Sequence, residues 1–193
     1  MTQLIIARYY ENLDWIEQLT NLKDYIIYNK GSMDDVPYSC TELPQDNSRD
    51  SGTWLHHIIN NYNNLYDCNI FLQGTPYKHN PGIIHYLNNF NTIPDNVEWL
   101  GIPKETIYNT GHSKNLPLLQ ICKHIFPDKQ YDETSIFRFS NCAQYTVPLK
   151  FINNKSLEWW QYSQSVLKYY INQGSPWVFE RLWPLIWDYQ YKQ

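Results

Sequence analysis

Apolar residues near the start of the chain fall into two short runs, at residues 4–9 and 25–28. Both runs are rich in β-branched and aromatic residues, which favour strands. Between them, Leu13, Trp15, Ile16 and Leu19 recur at helical spacing. A strand, a helix and a second strand within about thirty residues predict a βαβ unit with parallel strands.

The next segments extend this pattern. Residues 33–49 are polar, with little periodicity, and predict a loop. Residues 51–65 then carry apolar side chains at i, i+3 and i+4 spacing, which predicts an amphipathic helix capped by Asp50 or Ser51. Residues 69–72 form a third apolar run, so the first half predicts a layered α/β start.

The second half is less regular. Residues 137–147 predict a strand or hairpin that Pro148 ends. Residues 156–170 predict a helix with Ser156 as its cap. A last amphipathic segment covers residues 177–187 and is interrupted by Pro184. We therefore expect a single α/β domain, Rossmann-like, with a mixed and mainly parallel central sheet.

Composition excludes several classes of protein. The 193 residues carry a net charge of −4 and no basic run, which is unlike a nucleic-acid-binding protein. The longest apolar runs fall far short of a membrane span, and residues 4–7 are too short for a signal peptide. Four cysteines without a CxxC pair are expected to be free thiols in the cytoplasm. The 17 Tyr and 8 Trp build a core or line a site for sugars and nucleobases.

Polar residues follow each predicted strand directly. Arg8 lies at the end of the first strand, Asn29 and Gly31 at the second, and Gln73-Gly74 at the third. Because ligands of open parallel sheets bind beyond the carboxyl ends of the strands, these residues are candidates for one site.

Several short motifs resemble those of an uncharacterised domain-of-unknown-function family. They are Ile6-Ala7-Arg8-Tyr9 with Asn12-Leu13-Asp14-Trp15, Tyr28-Asn29-Lys30-Gly31, Asn47-Ser48-Arg49-Asp50-Ser51 before Leu55-His56-His57-Ile58, Phe71-Leu72-Gln73-Gly74-Thr75-Pro76 with His79, Ala143-Gln144-Tyr145-Thr146-Val147, and Phe179-Glu180-Arg181-Leu182-Trp183-Pro184. The third motif usually has Glu where this chain has Asp50.

That family in turn resembles the GT-A glycosyltransferases. The resemblance implies a GT-A-like domain over residues 1–193, with residues 1–80 as its nucleotide-binding half and residues 81–193 as its acceptor-side half. The implied function is transfer of a sugar from a nucleotide-diphosphate sugar to a glycan or another hydroxyl acceptor. A transferase of this class needs its leaving diphosphate neutralised and a carboxylate base at the acceptor hydroxyl.

The resemblance also implies roles for individual residues. Those expected around the nucleotide and its diphosphate are Arg8, Asn29, Asp34, Asp35, Arg49, Gln73 and Gly74. Glu180 is expected to act as the catalytic base and Arg181 to orient it or the leaving group. A salt bridge of Glu180 with Arg181 or Lys168 is the plainer interpretation.

The metal is the main departure from the GT-A pattern. Gln73-Gly74-Thr75 stands where an Asp-x-Asp motif is expected, and it has no carboxylate for Mn²⁺ or Mg²⁺. Either His79, Asp34 or Asp35 supplies the metal site, or the enzyme is metal-independent, or catalysis has been lost. The last option makes the chain a non-catalytic carbohydrate- or protein-binding module. A hydrolase that uses Glu180 and an Asp is a weaker third reading.

Overall fold

A mixed β-sheet forms the centre of the protein. The computed structural model describes residues 1–33, 36–102, 106–109, 115–139 and 142–188, and only the backbone of 106–109. The strands are β1 (Thr2–Arg8), β2 (Tyr25–Asn29), β3 (Thr41–Glu42), β4 (Cys68–Gln73), β5 (Glu98–Trp99), β6 (Thr106–Asn109), β7 (Ile136–Phe139) and β8 (Tyr145–Pro148). Within these residues, six strands form the main sheet in the order β3-β2-β1-β4-β8-β5.

The first four strands of that order are parallel; the sequence predicts this for β1, β2 and β4 and does not predict β3. The register places Arg8 opposite Asn29 and Ala7 opposite Gln73, so β1, β2 and β4 end at the same edge. Leu4 and Ile6 point to one face of the sheet and Ile5 to the other, and all three are fully buried. Because both faces of these strands are buried, their sequences are continuous apolar runs and do not alternate with polar residues.

The sequence predicts a strand or a hairpin in residues 137–147, and the structure has two strands there that do not pair with each other. Strand β7 pairs with β6 in a separate two-stranded sheet, whereas β8 pairs antiparallel with β4 and β5 in the main sheet. All four residues of β8 are buried, while β7 has exposed and half-buried positions. A strand that is apolar on both faces is best accommodated inside a sheet covered on both sides.

Helices cover both faces of the main sheet. They are α1 (Arg49–Asn61), α2 (Ile83–Asn88), α3 (Leu118–Ile125), α4 (Leu149–Asn153), α5 (Leu157–Tyr169) and α6 (Ser175–Ile186), with short 3₁₀ helices at Asp14–Gln18, Tyr62–Asn64, Pro76–Lys78 and Ile171–Gln173. One core lies between the sheet and α1, α3, α5 and α6, and the other between the sheet and α2 with the first 3₁₀ helix. No helix among these described residues is long and apolar enough to cross a bilayer.

Three helix predictions need correction. The segment between β1 and β2 is a short 3₁₀ helix, not an α-helix. Helix α1 begins at Arg49 rather than at residue 51, and neither Asp50 nor Ser51 caps it. Helix α6 continues through Pro184, which has no N–H to donate to the Glu180 carbonyl, and it ends two residues later at Ile186.

The tryptophans mostly build the core. Trp54, Trp160, Trp183 and Trp187 are fully buried, and Trp54 and Trp183 pack with their ring centroids 5.3 Å apart. Trp15 and Trp99 are also buried. Trp177 differs from all of them, because 45% of it is exposed. The named tryptophans other than Trp177 therefore serve the packing of the core.

The cap of α5 provides a test of the local fold. The Ser156 hydroxyl accepts a hydrogen bond from the Trp159 amide at 3.2 Å, as the sequence predicts. We expect Ser156→Ala to lower the free energy of unfolding by about 1 kcal/mol in urea denaturation, because an amide of the first turn loses its partner. Ser165→Ala is the control on the same helix, since Ser165 is exposed and bonds only to the Tyr162 carbonyl. Equal effects of the two variants would contradict the capping role.

Candidate functional site

A cavity of about 690 Å³ lies where the parallel strands end and α1 begins. Its volume is within the range of small-molecule sites. One wall is polar and includes Arg8, Glu11, Arg49, Asp50, Gln73, Lys78 and His79. The opposite wall comes from the connection between α5 and α6 and includes Ile171, Gly174, Pro176 and Trp177. The cavity therefore lies at the edge of the sheet where the sequence predicts a site.

Arg8 is held rigidly at this edge by Asn29. The Arg8 guanidinium donates from Nη1 to Asn29 Oδ1 at 2.7 Å and to the Ser32 carbonyl at 3.0 Å. Its Nε donates to the Glu11 carbonyl at 2.9 Å. Both side chains are buried, but Arg8 lines the cavity and Asn29 does not. Asn29 thus positions Arg8, and the predicted direct role of Asn29 in binding gains no support from its location.

Lys30 fixes the start of α1. Its ammonium donates to Asp46 Oδ1 at 2.9 Å, to Ser48 Oγ at 2.6 Å and to the Arg49 carbonyl at 2.9 Å. Burial lowers the pKa of Lys30, and Asp46 partly opposes this effect. Arg49 itself has a φ of 53°, in the left-handed region that non-glycine residues rarely occupy. The Lys30 contact holds this strained residue at the cavity.

The Arg49 side chain crosses to the opposite wall. Its guanidinium carbon lies 4.2 Å from the centroid of the Trp177 ring, which is cation–π geometry. This contact joins the start of α1 to the start of α6. It places a permanent positive charge at the cavity, as predicted for Arg49.

Glu180 lies behind Asp50 at the same end of the sheet. Gln73 donates from Nε2 to Asp50 Oδ2 at 2.7 Å. Burial, and then the charge of Asp50, raise the pKa of Glu180 to about 7, against the opposing charges of Arg181 and Arg49. Gln73 and Asp50 line the cavity, whereas Glu180 does not. Asp50 therefore bonds to Gln73 at the cavity wall, and its charge acts on Glu180, which does not line that wall.

Arg181 interacts with its own helix and with β7. It lies 3.8 Å from the Glu180 carboxylate, donates to the Trp177 carbonyl and stacks over the Phe139 ring at 5.0 Å. It does not line the cavity. This location suits a residue that orients Glu180 and does not suit one that contacts a leaving group.

Gly74 has a packing role. A Cβ at this position would lie 2.7 Å from Glu11 Cβ and 2.8 Å from Glu11 Oε2. The Gly74 carbonyl accepts a hydrogen bond from Trp15 Nε1 at 2.8 Å. Gly74 therefore lets β4 end against the loop after β1, while its neighbours Gln73 and Thr75 line the cavity.

The described residues lack a cluster of metal-binding side chains at the cavity. Within them, no group of three or more His, Cys, Asp and Glu could hold a metal ion. The three carboxylates of the cavity are engaged: Glu11 accepts from backbone amides, Asp46 from Lys30, and Asp50 from Gln73. His79, the predicted metal ligand, lines the cavity, and among the described residues it belongs to no group of three candidate ligands. Asp34 and Asp35 lie outside the described residues.

Sequence reasoning assigned no site role to Asp50, Lys78 or Trp177. Asp50 was expected to serve the helix start, yet it faces the cavity. Lys78 is adjacent to His79 in the 3₁₀ helix after β4, so its proximity to the third strand end could have indicated it. Trp177 could not be separated from the core tryptophans by spacing alone, because only its exposure distinguishes it.

The comparisons with known proteins show a similarity to one family and indicate no activity. Residues 4–93, just under half of the chain, match the sequence model of a family described as "Protein of unknown function (DUF3431)". The match supports the predicted similarity to an uncharacterised family. The matched span contains Arg8, Arg49, Gln73 and His79, and ends before Glu180. No curated protein and no solved structure matched the chain.

Proposed function

We propose that this protein transfers a sugar from a nucleotide-diphosphate sugar to a hydroxyl of a glycan or another acceptor. The observation that carries the proposal is the cavity at the carboxyl ends of β1 and β4, which is lined by fixed cations and by Asp50, whose charge acts on the partly buried Glu180. Phosphate ligands of layered α/β proteins bind at this edge of the sheet. The GT-A resemblance of the sequence motifs supports the same reaction.

Three cations are positioned to neutralise a leaving diphosphate. Arg8, Arg49 and Lys78 all line the cavity. Arginine remains charged at any physiological pH and binds phosphate with paired N–H donors. Because Arg8 and Arg49 are held by neighbouring groups before any ligand arrives, little ordering is needed when a diphosphate binds.

The Asp50–Glu180 pair is the proposed proton acceptor. A base that works near neutral pH needs a pKa close to 7, and the pKa of Glu180 is raised to about 7. Asp50 lines the cavity, and its charge interacts with that of Glu180. In this scheme the acceptor hydroxyl gives its proton to the carboxylate pair as its oxygen bonds to the sugar carbon, and the nucleotide diphosphate leaves. Arg181 positions Glu180 for this step.

The proposal assigns no step to a metal. Divalent metals prefer several oxygen ligands with charge, and the described cavity holds its carboxylates in other contacts. The engagement of these carboxylates in other contacts also favours the second candidate, a binding module that has the cavity and lacks catalysis. The two candidates differ in whether a nucleotide diphosphate binds.

Binding of UDP, GDP and dTDP tests the proposal. One of them, at 100 times its Kd, should stabilise the protein by about 2.7 kcal/mol in thermal unfolding. Arg49→Ala should weaken that binding at least 10-fold, and it leaves the backbone carbonyl that Lys30 contacts in place. Lys123→Ala is the matched control, because Lys123 is an exposed cation on α3 away from the cavity.

The metal is varied in the same experiment. Equal affinity in Mn²⁺ and in EDTA is expected. Binding that requires Mn²⁺ would contradict the metal-free scheme. No stabilisation by any nucleotide, with or without Mn²⁺, would contradict the transferase proposal and leave the binding module.

A further inference from the structure

The wall opposite the strand ends differs in chemistry from the rest of the cavity. It is formed by Ile171, Pro176 and Trp177, from the connection between α5 and α6. Gly174, with a φ of 87°, allows the sharp turn that starts α6 and brings this wall over the cavity. The cavity is thus charged on one side and apolar on the other.

Trp177 is the largest apolar group on this wall and is unlike the other tryptophans. It is 45% exposed, while Trp54, Trp160, Trp183 and Trp187 are fully buried. Its ring stacks with Arg49, and its exposed surface belongs to the lining of the cavity. A flat aromatic ring facing a polar cavity is suited to a ligand with one apolar face and a polar rim.

The position of Trp177 relative to Glu180 indicates which part of a ligand it would contact. The two residues are three apart on α6 and therefore lie on one side of the helix. Arg49 lies beside both, since its guanidinium stacks on Trp177 and its charge acts on Glu180. A group held against Trp177 would thus lie near the carboxylate pair and beside N–H donors.

We propose that Trp177 is the platform for the acceptor and that it binds the C–H face of a pyranose ring. The axial C–H groups of the sugar pack on the indole face that the Arg49 guanidinium does not cover, and hydroxyls at the rim of the sugar point toward Asp50. One of those hydroxyls is then the nucleophile of the proposed transfer. This inference rests on the proposed function for its assignment of the sugar as acceptor, but the platform itself requires only that a sugar binds.

Saturation-transfer NMR with cellobiose, lactose, chitobiose and mannobiose tests the platform. At least one disaccharide should receive saturation on the C–H protons of one ring face. Trp177→Ala should reduce that transfer at least 5-fold, and Trp177→Phe should retain part of it, because a smaller ring remains. Tyr169→Ala is the control, since Tyr169 is 77% exposed and lies outside the cavity lining. It should leave the transfer unchanged.

UDP, GDP and dTDP affinities of the same variants separate the two proposals. Trp177→Ala should lower nucleotide affinity less than Arg49→Ala does, because the Arg49 charge stays although its stacking partner is lost. An equal loss of sugar and nucleotide binding would overturn the inference, because the ring would then hold the nucleobase. Absence of sugar contact in the unmodified protein, or contact that survives Trp177→Ala, would also overturn it. Sugar contact that depends on Trp177, without any nucleotide binding, would support the platform and reject the transfer reaction.

Discussion

Glu180→Gln is expected to make the protein more stable at pH 8 and nearly inactive. The Glu180 pKa is about 7 in the folded protein, above the ordinary value of 4.5. Between these values the folded state binds more protons than the unfolded state, so its stability falls as the pH rises from about 4.5 to 7. Gln removes this loss, and the free energy of unfolding at pH 8 should increase by about 1–3 kcal/mol.

The pH dependence and the activity give separate checks on this variant. Urea denaturation at pH 4 should show little difference from the unmodified protein, because Glu180 is then protonated in both states. Sugar transfer should fall about 10²–10⁴-fold, the usual contribution of a general base, while UDP, GDP or dTDP binding is retained. Glu158→Gln is the control, since Glu158 is exposed and its pKa is lowered, so its replacement should not stabilise the protein at pH 8. A less stable, fully active Glu180→Gln variant would contradict both roles of this carboxylate.

Gly31→Ala is expected to be the most damaging small substitution at the site. A Cβ at Gly31 would lie 1.5 Å from the Tyr9 carbonyl oxygen. That backbone cannot easily move, because the Tyr9 amide is bound to the Glu11 carboxylate at 2.6 Å and Lys30 donates from its amide to the Arg8 carbonyl at 3.0 Å. We expect a loss of roughly 3 kcal/mol or more in the free energy of unfolding.

Gly82→Ala is the matched control for this clash. The nearest atom to a Cβ at Gly82 is Asn80 Oδ1 at 3.5 Å, an ordinary contact. Its effect in urea denaturation should be within about 0.5 kcal/mol. If the two alanine variants were equally stable, the close approach of the loop after β1 to the end of β2 would be wrong.

The central strands were predictable because their signal is local. Residues 4–9, 25–28 and 69–72 are apolar on both faces and match β1, β2 and β4. The partner of β8 was not predictable, because strand pairing depends on contacts between residues about 75 positions apart in the chain. The prediction of a loop for residues 33–49 also leaves out β3, which is only two residues long.

The site was predictable where it depends on topology. Parallel strands end at one edge, so Arg8 and Gln73 were expected together, and both line the cavity. Asn29 is polar at the same edge, yet its hydrogen bonds turn it toward Arg8. The roles of Asp50 and Trp177 depend on how α1 packs against α6. The sequence pattern of either helix alone does not indicate that packing.

The most direct test of the central claim is amide chemical-shift mapping during titration with UDP, GDP and dTDP. The account predicts that one nucleotide shifts the amides of Arg8 and Gln73 and those of the first turn of α1, with smaller changes near Trp177. Shifts confined to α3 and the β6–β7 sheet, or none with any nucleotide, would contradict a nucleotide-diphosphate site at the carboxyl ends of the parallel strands.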